Sequence, residues 1–282
     1  MTRQKHREGY RDERGAEPGK EWNEKRKSRR RRNRRKARIR FLASMLGTLL
    51  GAVLLVLVAY TALNLFCGFG KVNAQKLREQ GYPESLIALV ERNPEAKDFV
   101  LDYPKYKGLE EIDISKEVTK GEIPHFLQWD ERWGYETYGS DFLAVTGCGP
   151  TSLSMVVCGL TGDTKWNPYE VAKMAEDNGY YVDGSGSSWE LMSSGAEKLG
   201  LTVSSVIFDA EHIRATLEAG QPIICVMGPG DFTDAGHFLV LTGVDQEGDI
   251  ILQDPNSVER TKQHWDVQKL MNQMKNLWSY RV

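Results

Sequence analysis

The chain has 282 residues and a formal net charge of −2, but this near-neutral value averages a basic beginning and an acidic remainder. Its four cysteines, Cys67, Cys148, Cys158 and Cys225, have no regular spacing, which excludes the disulfide framework of a small secreted scaffold. Cys158 and Cys225 lie in apolar runs, where a cysteine commonly packs as a small buried hydrophobe. A bond between these two outside a cell stays an alternative that nothing in the spacing demands.

The first forty residues form a strongly basic segment, with eighteen Lys and Arg against six Asp and Glu. We expect residues 1–40 to be a disordered cytoplasmic tail. Residues 41–66 follow without a single charge and read FLASMLGTLLGAVLLVLVAYTALNLF. As a helix with a rise of ~1.5 Å per residue, this segment spans roughly 39 Å, enough to cross a hydrocarbon core of about 30 Å. The sequence therefore predicts a transmembrane helix over residues 41–66.

Charges on the two sides of the apolar segment predict its orientation. Lys and Arg crowd its N-terminal side, whereas only Lys71 is close on the other, so the positive-inside rule places the N-terminus in the cytoplasm and the remainder outside. A cleaved signal peptide is the alternative, but its apolar core is normally shorter and ends in a small-residue cleavage site. The arginine run could also contact nucleic acid. Beside a membrane span we expect it to orient the helix and attract anionic lipid headgroups, with no nucleic-acid partner.

Residues 67–120 are predicted to be an extracellular helical stalk or linker. Two short helical patterns are broken at Gly81-Tyr82-Pro83 and at Asn93-Pro94, and Leu86, Leu89 and Val90 recur at helical spacing. Such short pieces cannot enclose a core alone. We expect them either to pack against the following domain or to hold it away from the membrane.

Residues 121–282 have a suitable size for one domain, and their helix and strand patterns follow a legible order. The predicted helices are GPTSLSMVVCGL, PYEVAKMAEDNG, SSWELMSSGAEKLGL and AEHIRATLEAG, with Trp189, Leu191, Met192 and Leu199 as inward positions of the third. The predicted strands are TVSSVIF, QPIICVMG, HFLVLTGVD and DIILQD. Helices first and an antiparallel sheet later favour an α+β fold.

Cys148 stands between two glycines and immediately before Pro150, where a helix is predicted to begin. Proline is tolerated in a first helical turn, and Gly147 and Gly149 permit a tight backbone there. The partial positive charge of a helix N-terminus stabilises a thiolate and lowers a cysteine pKa from about 8.5. Cys148 is therefore a candidate nucleophile, and packing under a glycine-rich turn is the alternative.

His237 and Asp254 are the candidate partners of this thiol. His237 opens one predicted strand, and Asp254 ends the next. If Val244 faces Asp249 across the intervening turn, Asp254 lies opposite Leu239 and on the face of His237, within side-chain reach. A nucleophile, its base and a group that orients the base are the parts of a cysteine-dependent acyl-transfer site.

Four motifs in this order resemble the C39-like cysteine peptidases of bacteria, which have a papain-like fold: FLQWDERWGYE, TGCGPTSLSM, AGHFLVLTGVD and IILQDPN. The resemblance covers residues 121–282. It implies that Cys148 is the nucleophile, His237 the general base and acid, and Asp254 the orienting residue. It also implies that Gln128 donates a side-chain hydrogen bond in the oxyanion hole, against the alternative that Gln128 is merely a polar residue beside tryptophans of the core.

The sequence thus predicts a membrane-anchored extracytoplasmic peptidase without a transporter ATPase domain, acting on peptide or protein substrates through a thioester. We expect a single-pass protein of the cell membrane with its catalytic domain outside, and neither cofactor nor metal. Zinc-type Cys or His spacing is missing, and the segment DGSGSSWE is more consistent with a flexible turn than with a substrate loop. An acyltransferase or amidase of the same fold and a catalytically silent binding module are the alternatives.

Overall fold

A computed structural model describes the backbone of residues 18–68 and 72–282 and the side chains of residues 26–49, 51–58 and 72–282. The chain divides into two compact units, residues 1–70 and residues 71–282. Residues 1–17 of the expected cytoplasmic tail lie outside the described residues.

The first unit contains helix α1 (Pro18–Gly68), which includes the whole predicted span 41–66. Among the described residues it is the one helix that is long and apolar enough to cross a membrane, by length and composition. Residues 18–40, for which we expected disorder, are helical. Arg and Lys are good helix formers, so the basic run continues the helix.

The second unit begins with three short helices, α2 (Ala74–Glu79), α3 (Glu84–Arg92) and α4 (Lys97–Asp102). Gly81 has a φ of 81°, a value that favours glycine, and it separates α2 from α3. Apolar residues of these helices form a cluster with Tyr135 and Ala144 of the following domain, and the Phe99 and Tyr135 rings stack at 4.2 Å. The segment 72–105 therefore packs against the domain that follows.

The remaining elements are two short strand pairs, several helices and the five strands of a central sheet. In chain order they are β1 (Thr137–Tyr138), β2 (Asp141–Phe142), α5 (Leu143–Thr146), α6 (Cys148–Thr161), α7 (Pro168–Asp177), β3 (Tyr181–Val182), β4 (Gly186–Ser187), α8 (Ser194–Lys198), β5 (Thr202–Ser205), α9 (Ala210–Glu218), β6 (Ile223–Met227), β7 (His237–Val244), β8 (Ile250–Gln253), α10 (Val258–Thr261), α11 (Val267–Met271) and β9 (Met274–Arg281).

Five strands form one antiparallel sheet in the order β5-β9-β6-β7-β8. Both faces of the sheet are covered, so β6 is buried along its whole length. Ile224 and Val226 face a core that includes α6 and α7, whereas Ile223, Cys225 and Met227 face α9 and α11. The predicted α+β class is confirmed.

The sequence patterns missed or misplaced a few elements. The inner strand β9 was not predicted, because its residues MKNLWSYR mix polar and apolar positions without clear alternation. The predicted helix around residue 189 is divided into a 3-10 turn (Trp189–Met192) and α8. Trp189 is 47% exposed, so its expected inward position is wrong. Its ring lies edge-on to the buried Trp278 of β9 instead.

Candidate active site

Cys148 is the first residue of α6 and follows α5 after one glycine. Gly147 has a φ of −89°, which any residue can adopt, so backbone freedom is not the reason for glycine here. The reason is crowding. A Cβ at Gly147 would lie 2.4 Å from the Leu143 carbonyl oxygen, and one at Gly149 would lie 2.3 Å from Ser187 Oγ. Because the two glycines have no Cβ, the N-terminus of α6 can lie close to Leu143 and Ser187 with Cys148 between them in sequence.

His237 opens β7 directly after the loop that joins it to β6, and it pairs with Met227. Asp254 immediately follows β8. Both side chains are buried, the aspartate completely. Neighbouring antiparallel strands thus deliver a histidine and a carboxylate to one end of the sheet, beside the start of α6.

The register that brings Asp254 to this place contains a β-bulge. Val244 pairs with Ile250, so the expected Val244–Asp249 pair is wrong by one residue. The register shifts between Leu241 and Gly243, and beyond this shift Val240 pairs with Gln253. Asp254 therefore follows the partner of Val240, as the predicted register required, because the bulge absorbs one residue of β7.

The three side chains form one interacting group at this end of the sheet. His237 Nε2 lies 2.7 Å from Asp254 Oδ1. Cys148 borders the same cleft as His237, and the His237 side chain, together with the backbone N–H groups of Phe238 and Gly149, favours its thiolate. Because Nε2 is occupied by the carboxylate, the other ring nitrogen, Nδ1, is the one left for the thiol.

The charges within this group stabilise one another. Burial of the Cys148 thiol raises its pKa, but the hydrogen bond and the charge of His237 outweigh burial and leave the pKa below its usual value. Burial lowers the pKa of His237, yet Asp254 and Cys148 raise it to about 10. Burial raises the pKa of Asp254, while His237 and Arg260 lower it to about 2. The arrangement favours a thiolate, an imidazolium and a carboxylate together.

Arg260 and His125 also contact Asp254, and neither was predicted from the sequence. Arg260 Nε lies 2.5 Å from Asp254 Oδ2, and the Asn256 N–H donates to Oδ1 at 2.8 Å. His125 Nε2 lies 2.8 Å from the Asp254 carbonyl oxygen, and burial lowers its pKa. The stretch DPNSVER placed an arginine six residues after the aspartate, but only the turn at Ser257 and the helix α10 bring the two together.

Gln128, the predicted oxyanion donor, lies in the same cleft as Cys148 and His237. Its side chain is 3% exposed, and Nε2 donates to the Ala144 carbonyl oxygen at 2.7 Å. Its backbone N–H donates to the Pro255 carbonyl oxygen, also at 2.7 Å. Gln128 therefore connects the chain just before the nucleophilic helix with the turn that carries Asp254.

The cleft above these residues has a volume of about 370 Å³. One wall is the loop 230–236 between β6 and β7, and the other includes the C-terminal end of α3. Its lining residues are Leu89, Arg92, Asn93, Gln128, Val145, Cys148, Gly230, Asp231, Phe232, Thr233, Asp234, Ala235, Gly236, His237, Asn256 and Arg260.

Other candidate features have structural roles. Ser188 accepts a hydrogen bond from the Glu190 N–H and caps the 3-10 turn, and the segment 183–190 does not line the cleft. Cys158 and Cys225 are buried free thiols. The side chain of Cys67 lies outside the described residues. Among the side chains that the structure describes, no group of three or more His, Cys, Asp or Glu residues is arranged to hold a metal ion.

Comparison with known proteins gives a family. The profile of the Peptidase_C39 like family matches residues 120–282. Among solved structures, a candidate C39-like peptidase from Bacillus anthracis is 20% identical, with a TM-score of 0.33, and the match covers 58% of this chain and 97% of that chain. The search of curated proteins finds no match. The family profile covers more than half of this chain, and the chain therefore belongs to the C39-like peptidase family.

Proposed function

We propose that the protein is a membrane-anchored, extracytoplasmic cysteine peptidase that hydrolyses peptide bonds through a thioester. The observation that carries this proposal is the buried contact of 2.7 Å between His237 Nε2 and Asp254 Oδ1, with Cys148 on the same cleft and its pKa lowered by His237. Because the imidazolium is held between a carboxylate and the sulfur, the nucleophile is prepared before substrate arrives.

The reaction follows from these positions. The Cys148 sulfur attacks the carbonyl carbon of the scissile peptide bond, and His237 gives its proton to the departing amine nitrogen. This step breaks the C–N bond and leaves a thioester on Cys148. His237 then takes a proton from water, the water oxygen attacks the thioester carbon, and the acid product leaves as the C–S bond breaks. Asp254 keeps the imidazole oriented through both steps.

Gln128 supplies a donor for the oxyanion that develops in each step. A carboxamide nitrogen carries two hydrogens, and Nε2 makes one hydrogen bond within the described part of the chain, to Ala144. The second N–H is available to a substrate oxygen in the cleft. Holding Nε2 by its other hydrogen orients this donor in advance, which is how such groups lower the barrier.

The proposed location follows from α1 and its flanking charges. The helix contains an apolar segment of sufficient length, and the basic residues precede that segment. The positive-inside rule then places residues 72–282 outside the cytoplasm. Anionic lipid headgroups are the proposed partners of the basic segment.

Full-length protein in detergent, incubated with a complex peptide mixture in H₂¹⁸O, tests the proposal. We expect new peptide termini with one ¹⁸O in each new carboxyl group, and none with Cys148→Ala. Products that carry an added amine in place of ¹⁸O would favour acyl transfer. If the wild-type protein and Cys148→Ala give identical peptide patterns, the peptidase proposal is wrong.

A further inference from the structure

Glu95, in the segment before the family-matched region, holds the turn that follows Asp254. Its carboxylate accepts hydrogen bonds from the backbone N–H of Val258 at 2.8 Å, the N–H of Glu259 at 3.2 Å and the hydroxyl of Ser257. These groups form the beginning of α10. A carboxylate at this position satisfies N–H groups that a helix start leaves without partners.

Asn93 makes a second connection two residues earlier. Its side-chain Nδ2 donates to the Asn256 carbonyl oxygen at 2.7 Å and to Asn256 Oδ1 at 2.9 Å. Asn93 Oδ1 in turn accepts from the Glu95 N–H at 3.1 Å, which fixes the two residues relative to each other. The short stretch 93–95 therefore binds residues 256–259 at five polar contacts.

The bound turn has the catalytic carboxylate on its other side. The Asn256 N–H donates to Asp254 Oδ1, and Arg260 Nε donates to Oδ2. Arg260 is within α10, whose first N–H groups are held by Glu95. A displacement of this turn would move the donors on both carboxylate oxygens and, through them, the group that orients His237.

We propose that Glu95 is a positioning residue of the active site, which acts through the turn 256–260 on Asp254, and that the segment 72–105 is thereby a working part of the peptidase. This inference rests on the proposed function. Glu95 Oε2 accepts from both backbone N–H groups, and Oε1 accepts from the Ser257 hydroxyl. Glu95→Ala removes all three contacts, whereas glutamine can keep them, with its oxygen toward the N–H groups and its NH₂ toward the Ser257 oxygen.

Kinetics of the full-length protein in detergent test the inference, with Glu95→Ala compared with Glu91→Ala. Glu91 is an exposed acidic residue of α3 that does not line the cleft, so it is a matched control. We expect Glu95→Ala to lower kcat, per titratable Cys148, by about 10- to 100-fold with KM within about twofold, because small displacements of catalytic groups have effects of this size. Glu91→Ala should match the wild type. An unchanged kcat in Glu95→Ala, with or without a lower Tm, would overturn the inference.

A double-variant cycle separates positioning from general stability. If Glu95 acts through the turn that carries Arg260, Glu95→Ala should have less than about a threefold effect in an Arg260→Ala background, since residues that act as a unit are not additive. Full additivity of the two losses would contradict the proposed route.

Alkylation of Cys148 by iodoacetamide gives a readout that does not depend on peptidase activity. We expect a slower reaction near neutral pH in Glu95→Ala than in Glu91→Ala, because a less well held Asp254 stabilises the thiolate–imidazolium pair less. Equal rates would refute the inference. If the wild type cleaves no peptide but the two rates differ, the peptidase proposal fails while the positioning role of Glu95 stands.

Discussion

Asp254 binds His237 through Oδ1 and Arg260 through Oδ2, so the two oxygens of one buried carboxylate hold two different cationic side chains. The backbone N–H of Asn256 adds a third donor at Oδ1. All the side-chain partners of this carboxylate therefore donate hydrogen bonds. A donor group in place of either carboxylate oxygen would therefore face another donor.

The first prediction is that Asp254→Asn loses at least about 100-fold in kcat/KM, or ~2.7 kcal/mol of transition-state stabilisation. An asparagine oxygen can accept from the imidazolium of His237. In the structure, however, the amide NH₂ would face either Arg260 or His237, both of which are donors. Peptide-cleavage kinetics of the folded variant check this.

A comparison of the double variant Asp254→Asn/Arg260→Leu with Asp254→Asn tests this explanation. Removal of the guanidinium frees one side of the amide, so its oxygen can face His237, and we expect the double variant to be more active than Asp254→Asn alone. Near wild-type activity of Asp254→Asn would show that the carboxylate charge has no role.

A second prediction concerns pH. The pKa of Cys148 is lowered and that of His237 is raised to about 10, so the ion pair exists above the lowered pKa of the thiol and below about pH 10. We expect a bell-shaped profile of kcat/KM with an alkaline limb near pH 10, where His237 loses the proton that the leaving amine needs. Asp254, with a pKa of about 2, contributes neither limb. An alkaline limb near 6.5, the usual pKa of histidine, would contradict the strong pairing with Asp254.

The same shifts have a consequence for stability. Because the folded pKa of His237 is raised, its stabilising contribution is fully present below its usual pKa of 6.5 and is lost as pH rises through about 10. The pKa of Asp254 is lowered, so its contribution is present above 3.8 and is lost as pH falls through about 2. The Tm values of the wild type and Asp254→Ala should therefore differ most between about pH 3.8 and 6.5 and converge in strong acid.

Selective alkylation is a third prediction. In a Cys67→Ser background, Cys148 should react with iodoacetamide much faster than Cys158 or Cys225 near neutral pH. Burial raises the pKa of Cys158 to about 12 and that of Cys225 further, whereas the pKa of Cys148 is lowered. Peptide mapping by mass spectrometry identifies the labelled site. An unchanged Cys148 rate in His237→Ala would exclude the ion pair.

Gln128 allows a fourth prediction that separates catalysis from packing. Gln128→Ala should lower kcat by about 10²- to 10³-fold with little change in KM, as is typical for the loss of one oxyanion donor. Gln128→Glu should be at least as damaging, because a carboxylate cannot donate to the Ala144 carbonyl oxygen and adds negative charge beside the developing oxyanion. Variants that lower Tm but keep kcat would assign Gln128 to the core alone.

The fifth prediction concerns topology. A protease added outside intact cells should digest residues 72–282 and spare the basic N-terminal segment, because the charge asymmetry places them on opposite sides of the membrane. Epitope tags at the two ends, detected on immunoblots, provide the measurement. A C-terminal tag that survives until the cells are lysed would reverse the orientation, and loss of the N-terminal tag from mature protein would indicate a cleaved signal sequence.

Local patterns were sufficient to predict α6 and the paired strands β7 and β8, because their apolar residues form long uniform runs with clear ends. The bulge between Leu241 and Gly243 could not be predicted, since nothing in the sequence specifies where a strand takes up an extra residue. The expected position of Asp254 was right even though the expected pairing at the turn was wrong.

Contacts between distant parts of the chain were the hardest to predict. Glu95 and Ser257 are 162 residues apart, and each has an ordinary local context. Arg260 is one of four arginines in residues 121–282, and its sequence context alone did not connect it with Asp254. Such pairings depend on tertiary packing, which local periodicity does not encode.

The packing of Phe99 on Tyr135 has a practical consequence for recombinant expression. A fragment started at the family boundary, residue 120, would retain Tyr135 and Ala144 but lack the helices that cover them. The uncovered apolar surface would promote self-association. Such a fragment would aggregate in solution, whereas one that starts at residue 72 would keep this surface covered and remain dispersed.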